Sequence, residues 1–127
     1  MIEAKAKKDE ILSNSTASER SKQFISDRFN EIKLSYGITS KEDWNYKYYQ
    51  KANRILFLEC LHANNIKAKL LFIYFLNGYK KNGSQLGLTS KSEWIELIKH
   101  QDTYLGIADN EKIKSNIFDL ILDINEY

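Results

Sequence analysis

The 127-residue sequence contains no proline, a single cysteine and only five glycines. Without proline the commonest helix breaker is missing, and few glycines loosen the backbone, so long uninterrupted helices are expected. A lone Cys60 excludes an internal disulfide and suits a reducing compartment. There is no run of eighteen apolar residues and no basic-then-apolar leader. Neither a membrane span nor a signal peptide is therefore expected, and the chain reads as cytoplasmic. Catalytic phrases are missing as well. No Gly-x-Ser-x-Gly occurs, and Gly83-Ser84-Gln85-Leu86-Gly87 lacks the Gly-Lys-[Ser/Thr] order that places a phosphate-loop lysine. One cysteine and two histidines are too few for a structural zinc site. No metal and no cofactor are expected.

What is present is a short phrase that occurs twice. Gly37-Ile38-Thr39-Ser40-Lys41-Glu42-Asp43-Trp44 returns fifty positions later as Gly87-Leu88-Thr89-Ser90-Lys91-Ser92-Glu93-Trp94. Such a period suggests two copies of one supersecondary unit, spanning about 16–65 and 66–127. Each phrase reads as a helix entrance. Ser40 and Ser90 are placed as N-caps, with Asp43 and Glu93 at the third helical position to complete a capping box, each cap contributing roughly 1 kcal/mol. Trp44 and Trp94, the only tryptophans, then take equivalent positions as core anchors. The phrase Gly-[Ile/Leu]-x-Ser-Lys-x-x-Trp is similar to the start of a short repeat seen beside some phage-type integrases. The likeness covers eight residues per copy and lacks that repeat's prolines and later tryptophan cluster, so it implies no function for this chain.

The remaining segments also read as helical. Residues 2–13 form a short first helix, with residues 1–14 loosely attached. Thr16 and Glu19 open a helix to Tyr36, with Ile25, Phe29, Ile32 and Tyr36 as its stripe, widened by Phe24 and Leu34. A helix from Lys41 to His62 buries Trp44, Tyr48, Ala52, Ile55 and Leu58 or Leu61, and Cys60 is expected to be buried and inert within it. The apolar run of residues 70–76 fits a buried helix or a buried strand. Its place in the repeat favours helix, and the alternative is an α+β fold in which 54–61 and 69–76 pair as a hairpin. Helices from Lys91 to Tyr104 and from Asn110 to Asn125 complete the chain, the last capped by Asp109. The expected architecture is one all-α domain, residues 1–127: a bundle of five to six helices built from two related helix–turn–helix units.

Charge is unevenly spread. Residues 1–36 carry seven Lys/Arg and six Asp/Glu, residues 37–83 eight and three, and residues 84–127 four and eight, summing to the net +2. Lys47, Lys51 and Arg54 recur at spacings that share one helical face, beside Tyr46. Lys67, Lys69, Lys80 and Lys81 extend this into a candidate surface for a partner or for nucleic acid, since cations neutralise phosphates and rings stack on bases. Asp119, Asp123 and Glu126 form a candidate acidic partner face.

The expected function is that of a non-enzymatic helical binding protein that docks on a larger protein or protein–nucleic acid complex. An adaptor, or a mobile-element-type inhibitor of a nucleic-acid-processing machine, has this character. Tyrosine, enriched at interfaces, is abundant. Direct RNA or DNA binding through Lys47, Lys51 and Arg54 is the second expectation, and an enzyme of unknown type the third. No membrane partner is expected, and the oligomeric state is open.

Overall fold

The structure, a computed structural model, describes residues 1–79, 82–84 and 87–126. It is an α+β protein and not a helical bundle. In chain order the elements are β1 (Ile2–Lys5), a short 3-10 turn (Lys8–Glu10), α1 (Glu19–Tyr36), α2 (Tyr49–Ala63), β2 (Leu70–Leu76), α3 (Lys91–Leu105), α4 (Glu111–Lys114), β3 (Ile117–Asp123) and a closing 3-10 turn (Ile124–Glu126). The strands form one sheet in the order β1-β2-β3, with both pairs parallel. Among the described residues no helix is long and apolar enough to cross a membrane.

Three segments expected to be helical are strands, each for its own reason. β2 is the central strand of a parallel sheet, so both of its faces meet side chains and its sequence is apolar throughout. The alternative hairpin does not form either, because 54–61 lies inside α2 and β2 pairs only with β1 and β3. In β1 the period is two: Glu3 and Lys5 turn towards the helices, while Ile2 and Ala4 turn away. In β3 the isoleucine and leucine spacing imitates a helix because Asp119 and Asp123 interrupt the strand's inner face, where they meet polar partners.

The repeated phrase behaves differently in its two copies. The second copy opens α3. Ser90 is the N-cap residue, although its hydroxyl pairs with that of Ser92 and not with a backbone N–H. The first copy opens no helix; residues 37–48 form a loop and α2 begins at Tyr49. Tertiary contacts override the cap. The Ser40 hydroxyl donates to the Tyr104 carbonyl at the end of α3 (2.9 Å), and the α2 N-terminus is satisfied from outside: Tyr49 N–H donates to the Ser13 carbonyl and Gln50 N–H to the Ser13 hydroxyl, both at 3.1 Å. Trp44 and Trp94 are both fully buried but are not equivalent. Trp44 packs edge-on against Phe29 of α1, with ring centroids 5.3 Å apart. Trp94 lies 5.0 Å from Tyr74 of β2 and donates to the Phe75 carbonyl.

Other boundaries shift for local reasons. Ser18, not Thr16, caps α1, accepting from Ser21 N–H. Asn110, not Asp109, caps α4, accepting from Ile113 N–H. Phe29 and Ile32 of the α1 stripe are buried, but Phe24 and Leu34 point to solvent. Cys60 is exposed, contrary to the expectation of burial.

Both strand connections lie on one side of the sheet. Lys51 of α2 sits over Phe72, and Trp94 of α3 sits against Tyr74; these two β2 residues share a face. Consecutive crossovers of one hand, stepping in one direction, must do this. The core is therefore the seam between the helices and the inner sheet face of Leu70, Phe72, Tyr74, Leu76 and Ile117.

Two glycines provide a test of the packing. Gly37 and Gly106 end α1 and α3 in the left-handed region, at φ 66° and 76°. A Cβ at Gly37 would meet open space, whereas one at Gly106 would press on Ser40 and Ile38. Gly37→Ala should therefore cost only the conformational penalty of about 1 kcal/mol, and Gly106→Ala about twice that or more, read from urea midpoints. Equal losses would contradict the contact between the first phrase and the end of α3.

Candidate functional site

The basic surface expected around α2 is not assembled. Lys51 is 2% exposed, inside the core. Arg54 is held by Glu3 of β1, Nε to Oε2 at 2.8 Å. Lys47 precedes the helix and lies over the rings of Tyr48 and Tyr104, 5.1 and 5.8 Å from their centroids. Tyr46 is exposed. Lys67 is exposed at the other end of the domain, as is Lys69, whose Nζ donates to Asn116 Oδ1 at 2.7 Å. Lys80 and Lys81 lie outside the described residues.

In place of that surface, the residues converge on a charged seam beneath the helices. Lys51 Nζ is 2.7 Å from Asp102 Oδ1, and Lys114 Nζ is 2.9 Å from Asp102 Oδ2. Asp119 Oδ1 lies 4.0 Å from Lys51 Nζ and accepts from the Tyr74 hydroxyl at 3.3 Å. The Lys51–Asp102 contact is ionic without hydrogen-bond direction, and neither Nζ nor Oδ1 finds a directed partner among the described residues. Two lysines and two aspartates balance to zero, which is what lets Lys51 stay inside. Burial, reinforced by Asp119 and Asp102, drives the Tyr74 phenol far above its ordinary value. Burial would lower the Lys114 ammonium, but the Asp102 hydrogen bond and charge outweigh it and hold it above its ordinary value.

A second, smaller ion cluster ties β1 to α2. Glu3 accepts from Arg54 and from Lys5 (3.1 Å), and Lys5 also donates to Gln50 Oε1. Burial alone would raise Glu3, yet the hydrogen bonds and charges of Arg54 and Lys5 hold its carboxyl below the usual carboxylate value. The remaining polar pairs are dispersed. The Tyr36 hydroxyl donates to Glu59, His62 Nε2 meets the Ala68 carbonyl at 3.0 Å, and His100 sits 3.7 Å from Glu96 on an exposed face. Among the described residues no three His, Cys, Asp or Glu side chains converge as a metal site. The hollow lined by His62, Ile66, Lys67, Ala68 and Lys69 contains no member of the charged seam.

The acidic candidates separate in the same way. Asp119 belongs to the seam. Asp123 accepts from Asn77 Nδ2 (2.8 Å) and Asn125 N–H (2.9 Å), which hold its carboxyl below the ordinary value; Glu126 is exposed.

The feature that sequence reasoning missed is the outer face of the sheet. The register stacks three rows across it: Ile2, Leu71 and Phe118; then Ala4, Ile73 and Leu120; then Phe75 and Leu122. All eight are apolar. Ile2 is 67%, Phe118 51% and Leu120 42% exposed, because both connections cover the opposite face. Charges of both signs lie at the strand ends: Lys69 where β2 begins, Lys7 and Lys8 after β1, and Glu126 after β3.

The seam residues carry a sequence signal. Asp102 falls among Trp94, Ile98, Gln101 and Leu105 on the buried side of α3, and a charge on an apolar face implies an opposite charge inside. Asp102→Ala should destabilise the fold by about 3–5 kcal/mol, because Lys51 is left buried without its counter-charge. Lys51→Met with Asp102→Leu should recover most of that loss in urea unfolding, since Lys114 is partly exposed and can turn to water. No recovery would contradict the ion pair. Glu3 gives a pH signature. Its native carboxyl binds a proton less readily than the unfolded one, so its contribution is complete above about pH 4.3 and is lost as pH falls through its lowered native value. Glu3→Gln should reduce stability at pH 7 and shrink the fall in stability from pH 7 to pH 3; an unchanged fall would contradict the cluster. Compared with protein-family models, with curated proteins and with solved structures, the chain has no match.

Proposed function

We propose that this is a non-enzymatic binding protein that docks on a larger macromolecular assembly, and that the outer face of its sheet is the docking surface. The single observation behind this is the three rows of apolar side chains, eight in all, on a parallel sheet, a type of sheet otherwise covered on both faces. A contiguous apolar face framed by charge has the anatomy of a protein interface, with an apolar centre and a polar rim. Its occupant is protein, because the eight described side chains of this face include no donor or cation to meet phosphates or base edges.

The chain's charged groups support the same reading. Buried Lys51 and Asp102 are neutralised together with the more exposed Lys114 and Asp119, and the cations proposed for nucleic acid are split between the core, Glu3 and opposite ends of the domain. Adaptor character fits better than mimicry of a nucleic acid, because a mimic presents its carboxylates outward and Asp119 and Asp123 are engaged within the fold. A cytoplasmic setting suits the exposed, unpaired Cys60 thiol.

The test is the native size of the protein in extracts of cells that make it. The wild-type chain should run well above its 14.9 kDa, and Leu120→Asp, which places a carboxylate at the centre of the face, should fall towards that mass with its circular dichroism unchanged. A wild-type chain running at its own mass, or one whose larger size Leu120→Asp leaves intact, would contradict docking through this face.

A further inference from the structure

The free edge of β3 is a row of peptide groups without a neighbouring strand, and only another extended strand satisfies such a row. We propose that a second copy of this chain pairs with it, β3 against β3, antiparallel about a two-fold axis at Leu120. The sheet then runs through both copies as six strands. This pairing goes beyond the docking role of the outer face and does not depend on it.

The ladder decides which residues face the edge. Leu70 N–H donates to the Asn116 carbonyl at 2.8 Å, and Leu70 stands beside Ile117. In a parallel pair this turns the peptide groups of Phe118, Leu120 and Leu122 towards β2 and those of Ile117, Asp119, Ile121 and Asp123 outward. Asp119 shows the result. The residue is exposed although its side chain is only 23% exposed, so water lies against its peptide groups. The strand carries none of the usual guards. It has no proline, glycine or lysine, and its two carboxylates turn to the inner face, where Tyr74 and Asn77 hold them. The β1 edge is not comparable. Leu71 N–H donates to the Met1 carbonyl, which leaves only Ile2 and Ala4 outward in β1, and the next outward group, Ala6 N–H, is held by Glu10 Oε2 at 2.6 Å.

The sequence of β3 fits itself in one register. In an antiparallel pair, outward residues lie opposite outward residues. Centring the axis on Leu120 sets Asp119 opposite Ile121 and Ile117 opposite Asp123, so every outward residue has a partner and no aspartate faces another. Moving the axis one residue either way brings Asp119 opposite its own copy or opposite Asp123, and like charges directly opposite destabilise a sheet. On the outer face the same register places Leu120 beside Leu120 and Phe118 beside Leu122, all apolar. The axis is perpendicular to the sheet, so the outer faces of both copies stay on one side. Specificity lies in backbone hydrogen bonds and register more than in area, so the dimer is weak and forms as concentration rises.

Residue-resolved amide hydrogen exchange of the purified wild-type chain, beside sedimentation velocity, tests this. Between about 1 and 500 µM the mean mass should rise from 14.9 kDa towards twice that value. Over the same range the Asp119 and Ile121 amides should slow several-fold, while those of Phe118 and Leu120, already bonded to β2, stay unchanged. Leu120→Lys and Leu120→Glu each set like charges across the axis, at a position 42% exposed, and should raise the concentration needed for the dimer about fivefold. Mixing the two variants should restore the wild-type value, because each lysine then meets a glutamate. A monomer at every concentration would overturn the proposal and leave the edge to an extended segment of another protein. A dimer in which Asp119 and Ile121 exchange as fast as in the monomer would also overturn it, since pairing through the outer face leaves those amides open. No recovery in the mixture would overturn the axis at Leu120. A purified chain that stays monomeric while extracts hold it in a larger assembly would reject the second copy and keep the docking face.

Discussion

The constraint on which the structure depends is the direction of its two crossovers. Strands in the order β1-β2-β3, all parallel, step the same way twice, and connections of one hand then fall on the same face. That places both connections on one side of the sheet and concentrates the core there. Among the described residues, it also leaves the other face of the sheet without a layer. Strand-order reversal, which in doubly wound folds sends later helices to the opposite face and opens a ligand crevice, does not occur among the described strands. The fold therefore offers an apolar sheet face where a related topology would offer a cleft.

Charge inside the helical layer follows from the same crowding. With β2 apolar along its length, the layer is knit by ions contributed from several elements: Lys51 from α2, Asp102 from α3, Lys114 from α4 and Asp119 from β3. A replaced, well-packed hydrophobic set often matches such a network in stability, whereas removing one member does not. The network gives each helix a defined seat on the sheet, because a lysine buried over the Phe72 ring is tolerable in one position only. Its neutrality and the burial of Lys51 and Asp102 suit a scaffold, while the outer face is simple, apolar and accessible.

Much of the helical half of the fold was legible in the sequence. Of the expected stripe, Ala52, Ile55 and Leu58 are buried on α2, and Tyr48 is buried just before it. The strands were not legible, for three different physical reasons. β2 lacks periodicity because both its faces are apolar. β3 imitates a 3.6-residue period because Asp119 and Asp123 stand where apolar residues would show its alternation. β1 has only four residues, too few to reveal a period of two against a lysine-rich background. The similar phrases around Ser40 and Ser90 carry a further lesson. Local capping chemistry is worth about 1 kcal/mol, and at Ser40 that is less than the burial of Trp44 and the bonds from Ser13 and to Tyr104 that hold the loop. The candidate site was hidden for the same reason as the strands, since a surface made by cross-strand register cannot be seen until the register is known.

The central claim is that the inner and outer faces of one sheet differ in their access to water. Carbene footprinting of the protein in dilute solution, resolved residue by residue, measures this directly. Phe118 and Leu120 should label readily while Phe72 and Trp94, from the opposite side of the sheet, stay protected. Protection of Phe118 and Leu120 equal to that of Phe72, at concentrations too low for association, would contradict the one-sided sheet and everything derived from it.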